Sequence, residues 1–317
     1  MNDYINSLIL NNFNNEIVNI SKINGGWLTD KWKADFKNYS IMIKRVELEK
    51  IKRRGIDIEI AGKLLKSTND NDIRSPRIYR INNNLVNYDE QNRPIIFIEY
   101  IKDTFLKDYT NINKDEIYDI GREIYKIREC FDKIDINYKI DYNDFLNKIK
   151  SDYNKRVESG IISNNMKYLE DVYKEKKIID SLDIDFFKGY KIGFCHRDLS
   201  SDNILFDEKG FRAIIDFELA NISFVLYDIA RIFLTFCLDN EGNVNKELLS
   251  ELISGYGNIS LDELCKGIRL LWCIEVPLWI KEAYYVDKNP EKVDKFIYEI
   301  NWITENWDNL ENILKLQ

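Results

Sequence analysis

Gly193-Phe194-Cys195-His196-Arg197-Asp198-Leu199-Ser200-Ser201-Asp202-Asn203-Ile204-Leu205-Phe206 carries an Asp and, five residues later, an Asn, between apolar flanks. That spacing suits a loop in which the Asp takes a hydroxyl proton and the Asn holds Mg²⁺. Thirteen residues beyond Asn203, Ala213-Ile214-Ile215-Asp216-Phe217-Glu218 reads as a short apolar strand ending in an acid. Carboxylate and amide oxygens are hard donors, the kind Mg²⁺ takes beside phosphate oxygens. His196, Asp198, Asn203 and Asp216, in that order and with apolar strands around them, read as a phosphotransfer centre.

The rest of the chain is consistent with a soluble globular protein. It has 317 residues, 44% hydrophobic and 32% charged, an ordinary balance. A net charge of −8 disfavours nucleic acid as a partner and is compatible with a cationic substrate. Five cysteines are scattered, odd in number and without a C-x-x-C pair, so reduced thiols in a cytosol are expected rather than disulfides or zinc. Residues 1–10 lack a basic, apolar leader pattern, and no run of 18 apolar residues occurs. A cytoplasmic location follows, with no membrane and no protein partner implied.

Glycine and proline are scarce, at 13 and 4, so helices can run long. A short leading helix is expected within residues 1–20, then strand-like alternation across 20–50. Apolar residues at helical spacing (Ile56, Ile60, Leu64) follow, then two or three strands within residues 76–100. From Asn113 onward, long charged segments with helical periodicity take over: 114–133, 143–158, 163–182, 226–240, 246–256, 260–287 and 290–314.

The residues from His196 to Asn203 match the protein-kinase pattern H-R-D-L-x-x-x-N throughout. The chain therefore resembles the protein-kinase-like small-molecule kinases: the aminoglycoside phosphotransferase, choline kinase and homoserine kinase (type 2) family. The close motifs cover Cys195 to Phe233, and weaker ones reach back to about Gly25. The metal-binding triplet departs from D-F-G, being Asp216-Phe217-Glu218. The resemblance implies an α+β bilobal fold: a nucleotide-binding lobe over residues 1–101, with a small antiparallel sheet and one helix, and a larger, mainly helical lobe over 102–317.

It also implies roles. Asp198 would be the base or hydroxyl-orienting residue, and Asn203 and Asp216 the Mg²⁺ ligands. Lys44, at the end of the apolar run Ile41-Met42-Ile43, would bind the phosphates, with Arg45 as its rival. Glu59, on the following helix, is the expected partner of Lys44. The Gly25-Gly26 segment reads either as a loop covering the phosphates, aided by the Thr29 hydroxyl, or as a plain hairpin turn. In the hinge strand, the Glu99 carbonyl and Ile101 N–H would bond the edge of the base. His196, the only histidine, is expected to tether the catalytic loop rather than act as a base. Arg197 and Asp228 are supporting residues, and Arg197 has no settled role.

Only eleven residues separate Asp216 from Asp228, and no A-P-E follows, which argues against a protein substrate. The leading expectation is an ATP- or GTP-dependent, Mg²⁺-requiring O-phosphotransferase acting on a small-molecule hydroxyl, of the aminoglycoside antibiotic type. The alternatives are a metabolic kinase for homoserine, choline or a sugar, and a catalytically silent kinase-fold protein such as a spore-coat protein. For the acceptor, Trp272, Glu275, Trp279 and Glu282 share a helix face and could bind a cation. Core packing is the other reading of the same stripe.

Overall fold

The computed structural model describes residues 3–13, 16–23, 29–135, 141–281 and 290–315. The chain divides into two compact units, one comprising residues 1–108, 123–134 and 194–222, the other 109–122, 135–193 and 223–317. The first unit therefore holds the sheet together with the His196–Asp216 segment.

Five antiparallel strands build the sheet: β1 (Ile17–Ile23), β2 (Thr29–Phe36), β3 (Ser40–Val46), β4 (Asn87–Tyr88) and β5 (Pro94–Glu99), in the order β1-β2-β3-β5-β4. Side chains alternate faces along a strand, so residue parity sorts them. Trp32, Ala34, Phe36, Ile41, Ile43, Ile95 and Phe97 form one buried cluster with Ile5, Leu8 and Ile9 of the first helix, α1 (Asp3–Asn12). Lys44, Ile96 and Ile98 fall on the opposite face. There they line a cavity with Ala61, Gly62 and Leu65 of a helix at Ile58–Asp70. That helix starts where the Asp57 side chain accepts the Ile60 N–H at 3.1 Å, an N-cap that satisfies one of the orphan donors. A short helix at Leu48–Arg54 precedes it, unanticipated from the sequence. Of the strands expected within residues 76–100, only β4 and β5 form. Residues 77–81 contribute isolated bridges, Ile78 to Ile98 and Ile81 to Asn84.

A hairpin carries the motif residues. Its strands Ile204–Asp207 and Gly210–Ile214 pair Ile204 with Ile214. One more step of the same register brings Asn203 opposite Ile215, whose N–H donates to the Asn203 carbonyl at 2.9 Å. The open end of the hairpin thus sets Asn203 next to the residue before Asp216.

The second unit is helical, and the periodic segments form helices close to where they were expected, for example Tyr142–Ser163, Lys246–Gly255, Leu261–Lys281 and Pro290–Asn306. Two of its helices touch backbone to backbone. A Cβ on Gly255 would lie 2.2 Å from the Tyr118 carbonyl oxygen, and one on Gly121 2.7 Å from that of Leu252. Neither clash can be relieved by a side-chain rotation. Gly255→Ala should therefore force the helices apart and cost about 1–3 kcal/mol, the usual range for overpacking. The expected observation is a lower urea midpoint.

Candidate active site

Strand alternation decides between Lys44 and Arg45. Arg45 lies on the α1 face, where its guanidinium bonds Asp30 at 2.6 Å and sits over the Trp32 ring at 5.1 Å. Lys44 points the other way. It is 2% exposed, with Nζ 3.0 Å from Asp216 Oδ1 and 2.5 Å from Glu218 Oε1. Lys31 joins it from β2. It is the cross-strand partner of Lys44, so both side chains leave the same face, and its Nζ is 3.4 Å from Asp216 Oδ2. Two lysines and two acids thus form a charge-balanced cluster in which Lys44 and Glu218 are buried and Lys31 and Asp216 half-buried. Burial works against the charge on the Asp216 carboxyl, but Lys44 and Lys31 hold it down to about 2, so it is ionised at neutral pH. Burial also lowers Lys31, an effect that Asp216 partly offsets.

Glu59 does not take part. It is exposed and accepts a hydrogen bond from the Tyr88 hydroxyl at 2.8 Å. The expected Lys44–Glu59 pair is therefore replaced by Lys44–Glu218. The reason is rotational: Glu59 follows the buried Ile58 on the outer side of its helix, whose inner face is Ala61, Leu64 and Leu65.

The loop from His196 to Asn203 is held from within. His196 is fully buried, its Nε2 lies 3.0 Å from the Ile215 carbonyl, and the Asp198 N–H donates to its Nδ1 at 3.2 Å. An Nδ1 that accepts carries no proton, so the proton sits on Nε2 and the ring is neutral. Burial pushes its pKa down to about 4. The ring packs edge-on against Phe217 at 4.5 Å. Both ring nitrogens are therefore spent on the backbone beside Asp198 and Asp216. The Asn203 Nδ2 donates to the Asp198 carbonyl at 2.8 Å, so Oδ1 is the atom this amide could offer a cation. Arg197 (φ 67°) and Asp216 (φ 70°) are left-handed, a conformation that costs non-glycine residues about 1–3 kcal/mol and clusters at functional sites.

These donors suit Mg²⁺. An ionised carboxylate and an amide oxygen, tied together by the hairpin end, are hard ligands, and Mg²⁺ commonly takes only one or two protein carboxylates and completes its shell with phosphates and water. Among the described residues no group of three or more His, Cys, Asp or Glu is placed to hold a metal.

The remaining candidates are distributed as follows. Thr29 opens β2, and Gly25 and Gly26 lie outside the described residues. Glu99 closes β5 with its N–H on the Arg77 carbonyl, and the Tyr100 N–H bonds Ser40, with Ile101 next along the chain. Asp228 is buried in the first turn of the helix Tyr227–Ile232. Trp272 and Glu275 belong to the core rather than to a substrate surface. Trp272 is fully buried, donating to Thr304 at 2.8 Å. Glu275 is 4% exposed, accepts the Tyr227 hydroxyl and lies 3.6 Å from Arg231. At Trp272 and Glu275 the helical stripe that suggested a ligand face is a packing stripe. Trp279 sits in the helix Leu261–Lys281, and its side chain, like Glu282 altogether, is outside the described residues. Lys31 and Glu218 are the site residues that sequence reasoning missed. The one available signal was the acid standing where D-F-G has glycine.

Residues 174–261 match the phosphotransferase enzyme family. That span includes every motif from His196 to Asp228. Homoserine kinase of Methylobacterium radiotolerans is 30% identical over 116 residues, 32% of this chain and 36% of that protein. Homoserine kinase of Xanthobacter autotrophicus is 33% identical over 76 residues, 24% of each chain. The chain thus matches about a third or less of the length of these curated relatives. The choline kinase LicA of Streptococcus pneumoniae superimposes with a TM-score of 0.61 at 17% identity, over 96% of this chain and 97% of that one. A spectinomycin phosphotransferase crystallised with ADP and spectinomycin gives 0.62 at 17%, over 98% and 96%. The protein-kinase-like α+β fold is therefore the fold of this chain, as the motif resemblance implied. No helix among the described residues is long and apolar enough to cross a membrane.

The neutral, buried state of His196 has a measurable consequence. An unfolded histidine takes its proton near pH 6.5, the folded ring only near 4. Stability conferred by the neutral ring is complete above the unfolded value and is lost as pH falls through that window, by up to about 3 kcal/mol for the full shift. Because the chain has one histidine, its ring resonances are unambiguous. They should show no titration between pH 8 and pH 5. A midpoint near 6.5 in the folded protein would contradict the geometry.

Proposed function

We propose that the protein is a Mg²⁺- and nucleoside-triphosphate-dependent O-phosphotransferase that acts on a hydroxyl of a small molecule. The observation carrying this reading is the meeting of Lys44 and Asp216, 172 residues apart, at 3.0 Å beside the Asp198–Asn203 loop. Phosphoryl transfer asks little covalent chemistry of a protein and depends on positioning and charge stabilisation. Lys44 and Lys31 are the cations that would meet the phosphate oxygens. Mg²⁺, held by Asp216 and Asn203, would supply neutralisation of charge on the transferring phosphoryl group. Asp198 would orient the acceptor hydroxyl and take its proton. Its backbone is already fixed on both sides, by His196 and by Asn203.

The acceptor we propose is a small amino alcohol. Homoserine, choline and aminoglycosides, the substrates named for the similar proteins, all combine a hydroxyl with a nitrogen centre. An aminoglycoside, the leading expectation from the motifs, is supported by the structural neighbours, and homoserine by the curated relatives. ATP and GTP are both open to the site, since neighbours were crystallised with ADP, GDP or AMP.

The test is release of ADP or GDP by the purified chain with Mg²⁺ and a panel of kanamycin, spectinomycin, choline and homoserine. Turnover of one acceptor is expected. Nucleotide binding without turnover of any would favour the catalytically silent reading. Asp198→Ala should lower kcat by about 10²–10⁴, the usual contribution of a positioned acid–base group, while leaving the nucleotide-induced rise in Tm intact. Asp216→Ala should diminish that rise when Mg²⁺ is present. Asp198→Ala retaining more than about a tenth of the rate would remove Asp198 from its role.

A further inference from the structure

The helix Ile58–Asp70 brings no acid to Lys44, and each of its carboxylates is otherwise engaged. Asp57, at the cap, accepts the Ile60 N–H. Glu59 is exposed and bonded to Tyr88. Asp70, at the far end, is exposed and pairs with Lys66. Nearest Lys44 the helix offers Ala61, Gly62 and Leu65, which wall a cavity of about 10 Å³ together with Ile96, Ile98 and Phe217, room for no more than about one water.

The acid comes instead from the turn Phe217–Leu219, which packs on that same helix. Glu218 is 3% exposed, and the cation that reaches its carboxylate is Lys44. The compensation for its buried charge is the Lys44 ammonium at 2.5 Å. Asp216 cannot serve as the sole anchor, because it also faces Lys31 and is the carboxylate best placed for a cation. We infer that Glu218 is the positioning residue for Lys44, taking the part of a helix acid, since the first-turn acid Glu59 is turned away to Tyr88. The two departures from the kinase pattern, an acid in place of the triplet glycine and an apolar inner helix face, are then one exchange.

This inference rests on the proposed nucleotide site, and the experiment separates the two. ADP binding to the full chain would be measured by calorimetry, in Mg²⁺ and in EDTA, for wild type, Glu218→Gln, Lys44→Met, the double variant and Glu59→Gln. Glu218→Gln should weaken ADP roughly 10- to 100-fold, the span expected of coupled neighbours, and to the same degree with and without metal. The double variant should bind no more weakly than Lys44→Met, and Glu59→Gln should bind as wild type. Unchanged binding by Glu218→Gln, additive losses in the double variant, or a loss confined to Mg²⁺ would overturn the inference. The last result would make Glu218 a metal-side group. If the wild type itself binds no ADP, the proposed function falls and this inference with it. Should Glu218→Gln fail to fold, Glu218→Asp keeps the charge at a shorter reach, and the same cycle decides.

Discussion

Lys44 is an ammonium group with almost no access to water, and it must be neutralised where it stands. A buried charge without a partner is far costlier than any surface ion pair, and removing one partner of a buried pair typically costs about 3–5 kcal/mol. Here the neutralising groups, Asp216 and Glu218, lie more than 170 residues further along the chain. The sheet and the motif loop must therefore close on each other before the lysine can be buried. Lys31 adds a second positive charge, so two cations face two carboxylates. A cluster of this kind contributes little net stability. What it does is specify one arrangement of β2, β3 and the turn after Asp216.

Two plain features of β-structure deliver the other groups to the same point. Alternation along β3 sends Lys44 and Arg45 to opposite faces, and antiparallel register places Lys31 beside Lys44. The hairpin Ile204–Ile214 brings Asn203 and Asp216 to its open end, although they are thirteen residues apart. His196 then ties the backbone of residues 198 and 215 through one neutral ring. The left-handed backbones of Arg197 and Asp216 sit within this frame, held by hydrogen bonds on either side.

Asp198, Asn203 and Asp216 were legible in the sequence because they lie in a continuous motif whose spacing is local. Lys44 was legible because an apolar β-run ending in lysine is also local. Lys31 was not, since cross-strand pairing depends on a register that no single strand records. Glu59 misled for a related reason: the side a helix turns inward depends on packing, and Ile58, Ala61 and Leu65 took that side. Trp272 and Glu275 show the limit of periodicity. An i, i+3 stripe of aromatic and acidic residues describes a buried helix face as well as a ligand-binding one. The partners that decide between them, Thr304, Tyr227 and Arg231, come from elsewhere in the chain.

Where the lysine anchor resides also bears on how the proposed site assembles. If the partner acid were on the helix, the nucleotide site would need three independent pieces in register: strand, helix and metal-binding turn. With Asp216 and Glu218 two residues apart on one turn, a single backbone segment sets both the carboxylate suited to a cation and the one that holds Lys44. The segment is short, its first residue is held left-handed, and Phe217 between the two acids is buried against His196. The short spacing of Asp216 and Glu218 on this turn thus sets the position of Lys44 relative to the carboxylate proposed for the metal. Phosphoryl transfer rests almost entirely on such positioning and on electrostatic stabilisation.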